Sequence, residues 1–280
     1  MKLTGQRKTM LTFNEYLNEA LVTFNKKAYP KYGQFVILAG GSGSGKGWVI
    51  KNLLGISAKV LDVDHIKELV LKSDKLRSGL DKKYGRRVGK EDLKNPEFTS
   101  DLHHYVDKEL DLPNKEKTGL RVGVTNKNLL PNIIADNTLD TTSRLESLCS
   151  MAKSLGYSPE NIHIVWVVND VNVALNQNSQ RDRVVDPNIV IQKHTGVANT
   201  LKNIYQNVQS LSGMMNGDIW FVFNNSGVDV HTVGMSKGSK RGYVSKATYQ
   251  KVKEAGSSSI TPLKPELVAK LQQYTPTGWK

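Results

Sequence analysis

The sequence predicts an α/β protein in three layers, with a central, mostly parallel sheet of about five strands covered by helices on both faces. Two observations predict it. Five short apolar runs recur, and each is largely continuous instead of alternating, the pattern of a strand buried on both faces. Segments of helical character separate them, which places neighbouring strands in βαβ units. The runs are 34–39, 60–63, 132–136, 163–168 and 218–223, and helices are expected over 47–54, 65–73, 141–155, 171–180 and 187–211.

Ahead of the first run, residues 10–29 carry Leu11, Phe13, Leu17, Leu21 and Phe24 at roughly one-turn spacing. An amphipathic helix is expected there, stopped by Pro30 and Gly33. Residues 75–128, between the second and third strands, are polar, basic and punctuated by glycine. An insertion of this length is expected to be functional or to carry its own helix, here Pro96–Leu112. From 232 onward Gly, Ser and Pro cluster, as in Gly256–Ser259, and large apolar residues are few. That composition predicts a basic, partly flexible appendage ending in a short helix over Lys264–Tyr274. The expected organisation is an N-terminal helix within 1–33, the α/β domain over 34–231 and the appendage over 232–280.

A chain of 280 residues buries a core without covalent staples. The single cysteine, Cys149, excludes a disulfide framework and a multi-thiolate zinc site. No apolar run approaches the roughly 20 residues of a membrane helix. Lys2, Arg7 and Lys8 precede no apolar stretch, so no secretion leader is expected and a reducing cytoplasm is. Lys and Arg number 39 against 26 Asp and Glu, a net charge of +13, which favours polyanionic partners. Residues 236–280 hold nine Lys/Arg against Glu254 and Glu266, making that stretch a candidate for phosphate contacts to nucleic acid.

The first strand runs directly into Gly40-Gly41-Ser42-Gly43-Ser44-Gly45-Lys46, with a helix expected from Gly47. This is the G-x-x-x-x-G-K phosphate loop in its required context of strand, glycine-rich turn and helix. The glycines let backbone N–H groups turn around a phosphate, and the helix start adds favourable partial charge. Lys46 is expected at the β- and γ-phosphates of ATP, and Gly40 to Gly47 at the nucleotide. The hydroxyl that commonly follows the lysine and holds Mg²⁺ is replaced by Gly47, and the next position, where adenylate-kinase-like loops recover a threonine, is Trp48.

Three further segments bear on the chemistry. Asp62-Val63-Asp64-His65-Ile66-Lys67 follows the second strand, where a carboxylate suits a general base for a hydroxyl acceptor. Ile133-Ile134-Ala135-Asp136-Asn137-Thr138 closes the third strand. Arg181 and Arg183 lie one residue apart before Val184 and Pro187, and guanidinium groups there match the spread charge of a transferring phosphoryl.

Together these motifs, in this chain order across about 34–230, resemble the zeta-toxin and polynucleotide-kinase group of P-loop kinases. The resemblance implies a P-loop NTPase fold and transfer of the γ-phosphoryl of ATP to a hydroxyl on a nucleic-acid 5′ end, a nucleotide-sugar or another small molecule. It makes Asp64 the base and Lys67 a substrate or orientation contact, with Asp62 the rival base or a ligand to Mg²⁺ waters. Asp136 would accept metal waters, Asn137 and Thr138 would touch the acceptor, and Arg181 and Arg183 would form the lid. Asn224, after the last strand, falls where such kinases meet the adenine edge, and His194 is a further candidate for substrate contact. The competing expectation, favoured by Gly47 and Trp48, is a non-catalytic nucleotide- or DNA-binding protein on the same scaffold.

Residues 11–20 resemble the capsid-targeting leader of internal head proteins of tailed phages. Leu17-Asn18-Glu19 is similar to a prohead-protease site with the cut before Ala20. That resemblance implies a phage protein, in the host cytoplasm or the virion interior.

Overall fold

All five apolar runs form strands in a computed structural model of the chain, which describes residues 22–27, 30–112, 114–115, 129–181, 183–224, 230–231, 243–244, 248–276 and 279. They are β1 (Phe35–Ala39), β2 (Lys59–Leu61), β3 (Ile133–Asp136), β4 (Ile162–Val168) and β5 (Ile219–Phe223). Short strands β6 (Val230–His231) and β7 (Tyr243–Val244) pair antiparallel with each other. A further strand, β8 (Thr248–Lys253), joins the main sheet, whose order is β2-β3-β1-β4-β5-β8. Within this sheet every pairing is parallel except β5 with β8.

The apolar runs of β1, β3, β4 and β5 have the expected cause, whereas β2, at the sheet edge, leaves Lys59 and Val60 exposed. In β1, Phe35, Ile37 and Ala39 face one core and Val36 and Leu38 the other, all fully buried. The helices are α1 (Lys46–Asn52), α2 (Val63–Lys72), α3 (Asp74–Tyr84), α4 (Pro96–His104), α5 (Thr142–Leu155), α6 (Val171–Ser179), α7 (Pro187–Gln206) and α8 (Pro265–Tyr274). The first face of β1 packs against α5, α7 and α8, and the second against α1 and the segment around Val22 and Phe24. No described helix is long and apolar enough to cross a membrane.

Two expectations are corrected. The described part of the N-terminal span is not helical: Val22 bridges Leu54, Phe24 bridges Lys27, and Asn25 and Lys26 adopt positive φ (52° and 56°). Phe24 is pinned on His163, with ring centroids 4.9 Å apart, so tertiary packing overrides the helical spacing. The mostly parallel main sheet is as expected, with six described strands where about five were anticipated. The second correction is that the C-terminal region is built into the fold where it is described, because β8 completes the sheet and Leu267, Leu271 and Tyr274 of α8 lie in the main core. The phage-like leader, the cut before Ala20 and much of the basic tail lie outside the described residues.

The insertion forms its own cluster. Val70 and Leu71 of α2, Leu80 of α3 and Phe98 and Leu102 of α4 pack together beside the sheet. The expected helix there starts at Pro96 as anticipated, capped by Asn95, and passes through a π turn over Tyr105–Glu109.

A buried polar network anchors the N-terminal ends of the strands. His163 Nδ1 accepts the Asp218 N–H at 2.8 Å, and its Nε2 meets Gln34 Oε1 at 2.9 Å. Asp218 accepts from Asn25 N–H (2.7 Å) and Ala255 N–H (3.0 Å), tying the N-terminal turn and the stretch after β8 to one carboxylate.

Burial, then the positive charges of Lys251 and Lys253, push His163 down to about 3 from its usual 6.5. Between those values the unfolded chain binds a proton that the native chain refuses, so stability falls as pH drops through that window. The slope from this one group is at most about 1.4 kcal/mol per pH unit. Urea unfolding of His163→Gln from pH 7 to pH 4 is expected to show a shallower loss of stability than the parent. Equal slopes would remove His163 as the source.

Candidate active site

Asp62, Asp136, Gly40, Asn169 and Asn224 all stand at or just beyond the carboxyl ends of strands, and the order of the sheet reverses about β1. Ligands of open α/β sheets bind outside such a crossover. The loop from Gly40 to Lys46 leaves β1 and enters α1. Gly43 (φ 77°) and Gly45 (φ 88°) hold the left-handed conformation that side chains disfavour, which curls the backbone on itself. Lys46 lies across the loop. Its Nζ donates to Gly40 O at 2.8 Å and Gly41 O at 3.4 Å, and stands 3.6 Å from Asp136 Oδ1.

Burial raises the Asp136 carboxyl; Lys46 opposes the rise, and the negative charges of Asp62 and Asp64 add to it, leaving the group at about 6. The two other aspartates differ in task. Asp62 caps α2, its Oδ1 accepting the Asp64 N–H at 2.8 Å, as expected of an N-cap. Asp64 projects from the first turn and meets Lys67 Nζ at 3.2 Å and the Arg183 guanidinium. Burial works to raise its carboxyl, but the charges and hydrogen bonds of Lys67 and Arg183 prevail and hold it well below the usual carboxylate range. Lys67 is itself buried. Burial lowers its ammonium, with the Asp64 charge opposing.

Both arginines come from the connection between α6 and α7. Asn178 closes that segment by bonding both polar groups of the Val185 backbone, at 2.6 and 3.1 Å. Val184 N–H donates to Leu93 O at 3.0 Å, joining the segment to the insertion. Arg181 then reaches Ser42 Oγ at 3.1 Å while Arg183 reaches Asp64. One short stretch thus touches both the loop and the acidic helix start.

The remaining candidates divide. Asn137 Oδ1 accepts the Leu139 N–H at 2.9 Å, and Thr138 O accepts the Gly40 N–H at 3.3 Å, so this pair shapes the turn behind the loop. Asn224 is fully buried and donates to Ser44 O at 2.7 Å, supporting the loop from beneath instead of reaching outward to a base edge. Two residues given no such role from sequence do the same: Asn169 donates to Gly43 O at 2.8 Å, and His194 Nε2 lies 2.9 Å from Ser42 O. Nothing in their spacing advertised this, beyond the position of Asn169 directly after an apolar strand.

A Cβ at Gly47 would meet nothing within 4 Å, so the position has room but brings no oxygen. Trp48 packs against the core on the α1 side. Among the described residues no three His, Cys, Asp or Glu side chains assemble to hold a metal. A magnesium ion therefore fits only as one carried chiefly by phosphate oxygens and waters, with Asp136 and Asp62 as the carboxylates on hand.

No protein-family model matches the sequence, and a search of curated proteins finds no match. Among solved structures the chain is similar to the native AvrRxo1-ORF1:-ORF2 complex, at 15% identity, covering 69% of this chain and 55% of that one with a TM-score of 0.42. It is similar to the AvrRxo1-ORF1:-ORF2 complex with ATP, at 16% identity, 69% and 55% coverage and a TM-score of 0.40. It is also similar to a structure of the PezAT chromosomal toxin–antitoxin system of Streptococcus pneumoniae, at 16% identity, 70% and 69% coverage and a TM-score of 0.42. The chain thus spans 55% of the length of the AvrRxo1 chains just named.

Proposed function

We propose that the protein is an ATP-dependent phosphotransferase that moves the γ-phosphoryl group to a hydroxyl acceptor. One observation carries the reading: a single segment places Arg181 on the phosphate loop and Arg183 on Asp64, so loop, acid and two guanidinium groups share one site. Phosphoryl transfer needs little covalent help from a protein and much positioning and charge, which is what this set supplies.

In this reading the loop amides and Lys46 hold the β- and γ-phosphates. Asp64 accepts the acceptor's hydroxyl proton as the new O–P bond forms and the bond to the departing ADP oxygen breaks. Arg181 and Arg183 stabilise charge on the transferring group. Lys67, held on Asp64, orients that carboxylate, and Asn137 and Thr138 brace the turn behind the loop. Magnesium, when bound, neutralises phosphate charge; Asp136, with Asp62 through water, would hold it.

The experiment is ATP consumption against a panel of hydroxyl acceptors. Lys46→Ala is expected to lower turnover by about 10²-fold or more, because a preorganised charge at the phosphates is lost. Retained turnover in that variant would dismiss the assignment of Lys46. A second reading, a binding protein without turnover, is favoured by the oxygen-free positions Gly47 and Trp48. It predicts calorimetric affinity for ATP with no Mg²⁺-dependent consumption.

A further inference from the structure

We propose that Asn169, Asn224 and His194 are positioning residues that set the phosphate loop's shape by gripping three consecutive backbone carbonyls. The inference rests on the phosphate-binding reading above and deepens it. His194 Nε2 lies 2.9 Å from Ser42 O, Asn169 Nδ2 2.8 Å from Gly43 O, and Asn224 Nδ2 2.7 Å from Ser44 O. The three donors come from α7, the end of β4 and the end of β5, so no single element fixes the loop. All three side chains are buried, at 5%, 3% and 0% exposure.

A trans peptide is planar, and its C=O and N–H point opposite ways. Gripping the carbonyls of 42, 43 and 44 from outside therefore turns the N–H groups of Gly43, Ser44 and Gly45 away from the grip. Ser44 N–H closes a turn on Gly41 O at 3.2 Å. The N–H groups of Gly43 and Gly45 have no acceptor among the described residues, so of these three they are the two left open to an anion. Both belong to left-handed glycines, whose backbone would otherwise sample many conformations. Freezing them beforehand removes an ordering cost from phosphate binding.

The chemistry of the three grips agrees. Only Nδ2 of an asparagine can donate to a carbonyl, and the Oδ1 atoms of Asn169 and Asn224 have no hydrogen-bond partner among the described residues. Each amide is thus oriented by its loop carbonyl. For His194, donation to Ser42 O needs the proton on Nε2, and burial disfavours a charged ring.

The test is calorimetric titration of inorganic tripolyphosphate into the full chain, with thermal unfolding of each variant measured alongside. Asn169→Ala, Asn224→Ala and His194→Phe are each expected to weaken binding about tenfold while the thermal midpoint stays near that of the parent. His194→Gln, which keeps a side-chain N–H, is expected to stay within about threefold of the parent. In the parent, ¹⁵N amide shifts of Gly43 and Gly45 should move on titration, and less so in the alanine variants.

Three separate substitutions keep the test decisive if one does not fold. Folded variants that bind as the parent does would overturn the proposal, as would His194→Gln losing as much as His194→Phe. A loss of affinity seen only in step with lost thermal stability would overturn it too. If the parent itself does not bind tripolyphosphate, it is the phosphate-binding reading that falls.

Discussion

Asp64→Asn is expected to cut phosphoryl transfer by on the order of 10²- to 10⁴-fold, the range for a positioned general base, while nucleotide affinity holds or improves. The two effects diverge because Asp64 has two neighbours of opposite consequence. In the proposed reading it takes the acceptor's proton, and in the fold it pairs with Arg183. On that reading, neutralising it removes the proton acceptor and releases a guanidinium for the phosphates. The substitution also strands Lys67, whose ammonium is buried and has Asp64 as its ion-pair partner. Removing one member of a buried pair costs up to about 3–5 kcal/mol, and less here because Asp64 is half open to solvent. Asp64→Asn combined with Lys67→Gln removes that stability loss without restoring the base. Single-turnover rates and ATP affinity for both variants check the expectation, and turnover within tenfold of the parent would sink it.

Gly217→Ala is expected to destabilise the fold by about 3 kcal/mol, at the upper end for overpacking. A Cβ there would stand 2.2 Å from Ile162 O and 2.6 Å from His163 Nδ1. The nearest obstacle is backbone, which cannot swing aside as a side-chain tip can. Gly217 N–H also donates to Ile162 O at 3.1 Å and its carbonyl accepts from Lys253 Nζ at 3.2 Å, so the residue cannot withdraw without breaking the entry to β5. Urea denaturation reads the effect, and an unchanged midpoint would show that the β4–β5 junction yields more readily than these contacts allow.

What the sequence disclosed depended on how loudly each contact is written in it. β1, β4 and β5 were legible because burial on both faces demands unbroken apolar runs. The loop was legible because curling a backbone around phosphate requires glycine at fixed spacing. β8 was not: Thr248-Tyr249-Gln250-Lys251-Val252-Lys253 is an edge strand of mixed polarity, and its Lys253 is buried only because backbone oxygens of 216, 217 and 254 surround its ammonium. The helix α3 was missed for a related reason, since Leu76 and Leu80 supply nearly all its apolar face. At the candidate site, residue type and order singled out Asp64, Arg181 and Arg183, and the fold sets Arg183 on Asp64 and Arg181 on Ser42. Asn169 could not, because a lone amide at a strand end carries no signature until the carbonyl it grips is seen.

The pairing of β8 with β5 bears on how the chain emerges from a ribosome. β5 is Ile-Trp-Phe-Val-Phe, fully buried in the finished protein, and one of its flanks is closed by residues made after a gap of about 25 positions. During vectorial synthesis that flank is a bare, sticky template for any passing extended segment. Once β8 arrives, Lys251 on the Asp218 carboxylate and Lys253 among carbonyl oxygens hold it in place on that flank.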